Sequence, residues 1–226
     1  MKKAHLIVAS LSIIWLAAGA CKKDEPAVVD LGYGYFPISP GAWIEYQVDS
    51  LRVRRVEQST PDTISLSYAL REELTENFSD PEGRPAQRIL RSTRDPNNNW
   101  LPKDVWWQVR EDVRAEKAEE NMRRVKLVFP PRTTTFWNTN ARTTANEFEL
   151  NYAEVDVPWS INGMNFDSTL LVVGTYPSNL FFTKTYRERY AKGVGLIYRE
   201  VDSVDNQFSQ GYDRWYIKQV ITGHGP

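Results

Sequence analysis

The chain has 226 residues, and its 28 lysines and arginines almost balance its 29 acidic residues, for a net charge of −1. The basic residues are scattered, which argues against a nucleic-acid interface. A single cysteine and two histidines leave little material for histidine triads or for metal centres built from cysteine and histidine. The composition therefore predicts no cofactor, no metal and no nucleic-acid partner.

The first twenty residues have the pattern of a cleaved signal. A lysine-containing start is followed by an apolar run from Leu6 to Ala18, shorter than the roughly 20 residues that a membrane-spanning helix needs. Small residues come directly before Cys21. The segment resembles the lipobox of bacterial lipoproteins, although Ala18 stands where that family usually has a larger aliphatic residue. The resemblance implies removal of residues 1–20, acylation of Cys21 by palmitate-type chains, and membrane anchoring; an ordinary secretory signal is the alternative.

The residues after Cys21 are charged. Lys23, Asp24 and Glu25 resemble the export signal of surface lipoproteins in Bacteroidota. The resemblance implies an outer-membrane lipoprotein exposed at the cell surface, with the lipoprotein processing and export machinery as partners; retention on the inner leaflet is the alternative. Residues 21–31 are interpreted as a lipidated tether, and residues 32–226 as a single β domain.

Two aromatic and glycine-containing motifs lie near the ends of this domain. The first runs from Gly32 through Phe36-Pro37 to Trp43 and Tyr46, and the second covers residues 190–198. Both resemble segments of uncharacterised Bacteroidota lipoproteins. This resemblance brings no catalytic residues with it.

Between these motifs the dominant period is two residues, which is typical of a half-buried antiparallel sheet. Apolar residues alternate with polar ones in four segments: Ile44, Tyr46 and Val48; Ile64, Leu66, Tyr68 and Leu70; Val105, Trp107, Val109 and Val113; and Trp215 and Ile217. We expect an all-β fold: a single strongly curved antiparallel sheet or incomplete barrel of about ten strands, with at most one short helix. A two-sheet sandwich is the alternative.

Local signals add detail to this prediction. Asn162-Gly163 between two apolar-rich segments predicts a hairpin with a type I′ turn, and Pro158 in its first arm indicates a bulge or an edge strand. Residues 108–124 fit either a helix or two strands with a turn near Glu116–Asn121, and we favour the strands.

Carboxylates are the remaining source of acid–base chemistry, at Glu45, Glu72, Glu111, Asp112, Glu147 and Asp156. A glycosidase needs two carboxylates about 5 to 9.5 Å apart, one of them with a raised pKa. Most of these residues are predicted on the polar face beside arginines, where cross-strand charge pairing is the simpler interpretation. The sequence therefore predicts a protein that is not an enzyme.

Trp106 is the one candidate binding residue. It is predicted on a polar face beside arginines, where it covers their stems or forms part of a platform for a glycan or lipid ligand. The leading hypothesis is a non-catalytic lipoprotein that binds a ligand or serves in envelope interactions. The alternatives are a carboxylate-dependent glycan hydrolase and a lipid carrier with an apolar cavity in the curved sheet.

Overall fold

A computed structural model describes residues 29–56, 59–175, 181–207 and 211–226. Residues Leu31–Pro226 form one compact unit. Its twelve strands are β1 (Trp43–Val56), β2 (Asp62–Ser79), β3 (Pro85–Arg94), β4 (Trp100–Arg110), β5 (Arg114–Glu119), β6 (Met122–Val128), β7 (Phe136–Asn138), β8 (Glu149–Ile161), β9 (Met164–Thr175), β10 (Phe182–Ala191), β11 (Gly195–Gln207) and β12 (Gly211–Gly225). A short 3-10 helix, Tyr33–Tyr35, precedes them.

The strands form one antiparallel sheet in the order β6-β5-β4-β3-β2-β1-β12-β11-β10-β9-β8-β7. The pair β1–β12 lies in the middle of this order. Strands β2 to β6 follow one another on the side of β1, and strands β11 to β7 follow one another on the side of β12. The two end strands approach each other, because the Val125 N–H donates to the Thr139 carbonyl at 2.9 Å and Trp137 Nε1–H donates to the Val125 carbonyl at 3.0 Å. The sheet is thus nearly closed into a barrel. This confirms the predicted curved sheet, with twelve strands instead of about ten, and the sandwich alternative is wrong.

Residues 108–124 are in strands and turns throughout. Glu120 and Asn121 have φ values of 48° and 63° and link β5 to β6, which places a tight turn within the predicted region. A second turn, at residues 111–113, separates β4 from β5 and was not predicted. The helical alternative is wrong, because β5 pairs with β4 on one side and with β6 on the other in antiparallel ladders.

The predicted Asn162-Gly163 hairpin is confirmed. Asn162 and Gly163 have φ values of 52° and 75° and connect β8 to β9. The Asn162 side chain also donates to the Ile221 carbonyl at 3.0 Å, which ties the hairpin tip to β12. Pro158 falls where the β8–β9 register shifts between Val157 and Trp159, so the bulge interpretation is correct.

The N-terminal segment packs against the inner face of the barrel near one end. Tyr35 and Phe36 are buried. Gln108 donates to the Pro37 carbonyl at 2.7 Å, and Arg110 donates to the carbonyls of Tyr33 and Phe36 at 3.0 Å. Side chains of β4 therefore hold backbone groups of this segment in place.

The polarity predicted for part of the strands is inverted. Trp106 and Gln108 on β4 are buried, whereas Val105, assigned to the core face, is 55% exposed. Val113 is also exposed, and so are Ile64 and Leu66, although strand register places these two in line with Trp215 and Ile217 on the inner face. The alternation itself is correct, but the inside of this barrel carries charged and polar groups, so hydrophobicity alone does not identify the inner face.

Candidate ligand-binding cavity

Neighbouring strands place their charged side chains on one face by register. On the inner face, Glu72 of β2 lies opposite Arg91 of β3, and Arg91 lies opposite Asp104 of β4. On the other side of the barrel, Glu188 of β10 lies opposite Arg199 of β11. Because paired residues of a ladder point to the same side of a sheet, these charges converge inside the barrel.

We call the resulting set the inner charge cluster. Among the described residues it comprises six cations, Arg91, Lys117, Arg124, Lys126, Lys184 and Arg199, and four carboxylates, Glu72, Asp104, Glu119 and Glu188. None of the four aspartate or glutamate side chains is more than 26% exposed. Buried charges are costly unless they are paired, so the pairing within this cluster decides what it can do.

One part of the cluster is centred on Lys126. Its Nζ lies 2.6 Å from Glu188, 3.4 Å from Glu119 and 3.1 Å from the hydroxyl of Tyr186. Burial alone would raise the pKa of Glu188, but Lys126 and Arg199 outweigh burial and hold this pKa below its ordinary value of 4.5. Lys126 and Arg199 lower the pKa of Glu119 in the same way, in spite of burial, so both carboxylates stay ionised near neutral pH.

The other part of the cluster is centred on Glu72. Lys117 Nζ lies 2.6 Å from one of its oxygens and Arg91 Nε lies 3.0 Å from the other, and Arg91 also binds both oxygens of Asp104 at 2.9 Å. The pKa of Glu72 is lowered in spite of burial, because Lys117 and Arg91 favour its charged form. This carboxylate was predicted on a solvated face and lies inside the barrel instead.

Two cavities adjoin the cluster. A cavity of about 360 Å³ is lined by residues from β2–β6 and β10–β12, together with Thr139 and Phe148. A smaller space of about 60 Å³ lies toward Phe36 and Pro37 and has mainly apolar walls. We refer to the larger one as the main cavity. Its volume is at the lower end of the range for small-molecule sites.

Trp106, the predicted platform residue, lines the main cavity. Its side chain is 9% exposed, and the guanidinium carbon of Arg91 lies 3.5 Å from its ring centroid. Its indole Nε1–H is buried and has no hydrogen-bond partner among the described residues. A buried unpaired donor is uncommon, and Trp106 brings one to the lining of the main cavity.

Of the other predicted carboxylates, Glu45 and Glu111 are in ion pairs, as expected, whereas Glu147 and Asp112 are exposed. Glu45 lies 3.5 Å from both Arg71 and Arg94, and Glu111 lies 3.0 Å from Arg114. None of these four lines the main cavity.

Asp156 has a different surrounding. Its Oδ1 accepts hydrogen bonds from Tyr35 and Ser168, each at 2.6 Å. Burial and the neighbouring Asp156 raise the pKa of Tyr35 to about 12. The three residues join the N-terminal segment to β8 and β9, and Asp156 does not line the main cavity.

A second buried carboxylate cluster was missed by the sequence analysis. Glu116, whose side chain is fully buried, is contacted by Arg114 at 2.7 Å, Arg123 at 2.8 Å and Arg84 at 3.1 Å. These arginines come from β5, β6 and the turn before β3, so the cluster joins three elements. No local sequence pattern marks it, because Arg84 is 32 residues from Glu116 in the chain and only the folded sheet brings the two together.

The predicted lipid-attachment residue Cys21 and the export residues Lys23, Asp24 and Glu25 lie outside the described residues. Within the described part of the chain, no helix is long and apolar enough to cross a membrane.

No known protein family matches the sequence, and no curated protein matches it. Two solved structures are similar to the chain. A candidate lipoprotein from Parabacteroides distasonis ATCC 8503 has 9% sequence identity and a TM-score of 0.42, with 84% of this chain and 98% of that chain covered. The S-type phycobiliprotein lyase CPES from Guillardia theta has 12% identity and a TM-score of 0.30, with 86% and 94% covered. Both TM-scores are too low to assign a fold or a function to this chain.

Proposed function

We propose that this protein is a non-catalytic, membrane-anchored lipoprotein that binds a small ligand in the main cavity. The observation that carries the proposal is a cavity of about 360 Å³ inside a nearly closed barrel, with aromatic walls and inward charged groups. A sheet interior that served stability alone would be filled with close-packed side chains. Here Trp106, Phe148, Tyr186 and Trp215 instead surround open space.

The charge states of the inner carboxylates argue against a hydrolase. A glycosidase needs a carboxylic acid that stays protonated near neutral pH. Glu119 and Glu188 share Lys126 and are close to each other, but neighbouring cations lower the pKa of both. Neither has the raised pKa that a general acid needs. The cavity is also not purely apolar, as a carrier of neutral lipid would require.

The binding proposal can be tested with the fluorescent probe 1-anilinonaphthalene-8-sulfonate. We expect one molecule to bind per folded protein, and we expect Ile217→Trp to weaken this binding, because Ile217 lines the main cavity and a larger side chain would fill it. Val105→Trp is the matched control, since Val105 is 55% exposed on the outer face. Equal binding by the wild type and Ile217→Trp would contradict binding in the cavity.

The location has its own test. If Cys21 carries the lipid, Cys21→Ala moves the protein from the membrane fraction to the soluble fraction. If Lys23, Asp24 and Glu25 direct export, replacing all three with alanine leaves the protein in the membrane but removes its accessibility to protease on intact cells. Accessibility that persists would contradict the export role.

A further inference from the structure

The inner charge cluster has two more positive than negative charges. Its six cations face four carboxylates, and the two charged residues at the rim of the main cavity, Lys103 and Glu120, cancel each other. The excess of two positive charges is therefore the same whether these two residues are counted or left out. An uncompensated charge in a partly desolvated site is expensive, so the position of the excess is informative.

The ion pairs place the excess on Lys184 and Arg124. Every other cation in the cluster lies within 3.5 Å of at least one carboxylate oxygen. In the described part of the structure, neither Lys184 nor Arg124 has a carboxylate within salt-bridge distance. Arg124 binds the side-chain oxygen of Asn140 at 2.5 Å, and Lys184 Nζ lies 4.0 Å from the ring centroid of Phe148.

The two unpaired cations affect each other. The pKa of Lys184 is lowered by burial, and further by the positive charges of Arg124 and Arg199. Lys184, Arg124 and Arg199 all line the main cavity. An anion placed there would relieve the repulsion between them, whereas a neutral ligand would not.

The same cavity also has an apolar side. Strand register places Lys184, Ser203 and Trp215 in one row across β10, β11 and β12, so the backbones of Lys184 and Trp215 are about 10 Å apart, two strand spacings. Trp215 is 39% exposed, and Leu66, in the next row on the same face, is 55% exposed. Cations and an exposed apolar strip therefore lie side by side at the cavity.

We propose, on the premise that the main cavity binds a ligand, that this ligand is an amphipathic organic anion. Lys184 and Arg124 bind its carboxylate or phosphate group, and Trp106 Nε1–H is a further donor on the cavity wall. The apolar part of the ligand packs against Trp215 and Ile217. A carboxylate and a phosphate monoester share the chemistry that two unpaired cations recognise.

Three ligands with the same eight-carbon chain test the charge requirement: octanoate, octyl phosphate and octanol, each titrated into the protein by calorimetry. We expect the two anions to bind at least tenfold more tightly than octanol. The tighter of the two anions shows which head group the cavity prefers. If octanol binds as well as both anions, the anion proposal is overturned while ligand binding in the cavity stands. If none of the three ligands binds and the fluorescent probe fails as well, both proposals are wrong.

Variants locate the head group. Lys184→Met and Arg124→Met should each weaken octanoate binding about tenfold and leave octanol binding unchanged. Lys218→Met is the matched control, because Lys218 follows Ile217 on β12 and therefore lies on the opposite, outer face of the sheet; it should change neither. Lys184→Met should also unfold at the same temperature as the wild type or a higher one, since it removes a cation without a partner. Octanoate affinity that is unaffected in both cavity variants would contradict the assignment.

Discussion

Lys126 is a buried cation that compensates two buried carboxylates. Its side chain is 2% exposed and contacts both Glu119 and Glu188. Replacing it with methionine would keep the volume but leave two buried carboxylates with less compensation. We expect Lys126→Met to lower the free energy of unfolding by about 3–5 kcal/mol, as measured by urea denaturation.

The cause of this loss can be separated from simple repacking. Glu188→Gln removes one of the two carboxylate charges, so the double variant should lose less stability than the two single losses added together. Lys103→Met, at a position whose side chain is 41% exposed, should change the free energy of unfolding by at most about 1 kcal/mol. Additive losses would show that charge compensation is not the reason Lys126 matters.

The β8–β9 hairpin depends on backbone geometry at its tip. Gly163 has a φ of 75°, and a Cβ there would have nothing within 4 Å. Gly163→Ala therefore tests the left-handed backbone without a steric clash, and we expect a loss of about 1–2 kcal/mol in unfolding free energy. Gly163→Asn should cost less, because asparagine tolerates this conformation. Equal costs for the two variants would contradict the backbone explanation.

The β5–β6 pair shows which parts of the structure the sequence could predict. Strands with a turn near Glu116–Asn121 were favoured here over a helix. Between Ala115 and Glu116 the register of the pair shifts, and Val125, Lys126 and Leu127 are all buried as a result. A bulge of this kind depends on the partner strand, so no local sequence pattern predicts that Lys126 points inward.

The residues of the candidate site were only partly predictable for the same reason. Trp106 was identified from its position among arginines, but its partners, Arg91 and Lys117, come from other strands. Glu119, Glu188 and Lys184 look like ordinary surface residues in the sequence. Only closure of the barrel decides which face of each strand becomes the interior, and that closure is a property of all twelve strands together.

At the scale of the whole molecule, the barrel holds ionised carboxylates in its interior, and its stability should therefore depend on pH. The pKa values of Glu72, Glu119 and Glu188 are all below the ordinary value of 4.5, since nearby lysines and arginines outweigh burial. A carboxyl group whose pKa is lower in the folded chain stabilises the fold fully above its unfolded-state pKa. That contribution is lost as the pH falls through the folded-state pKa.

We therefore expect the free energy of unfolding to decrease as the pH falls below about 4.5. The Glu188→Gln variant measures how much of this decrease comes from Glu188 alone. Near neutral pH the wild type should be more stable than this variant. The difference should shrink as the pH falls below about 4.5, because the unfolded wild type then takes up a proton at Glu188, whereas Lys126 and Arg199 hold this residue ionised in the folded chain. Glu147→Gln, at an exposed position, should differ little from the wild type at any pH. Urea denaturation of the three proteins from about pH 7 to about pH 3 measures this, and a pH-independent difference for Glu188→Gln would mean that the interior charges do not govern acid stability.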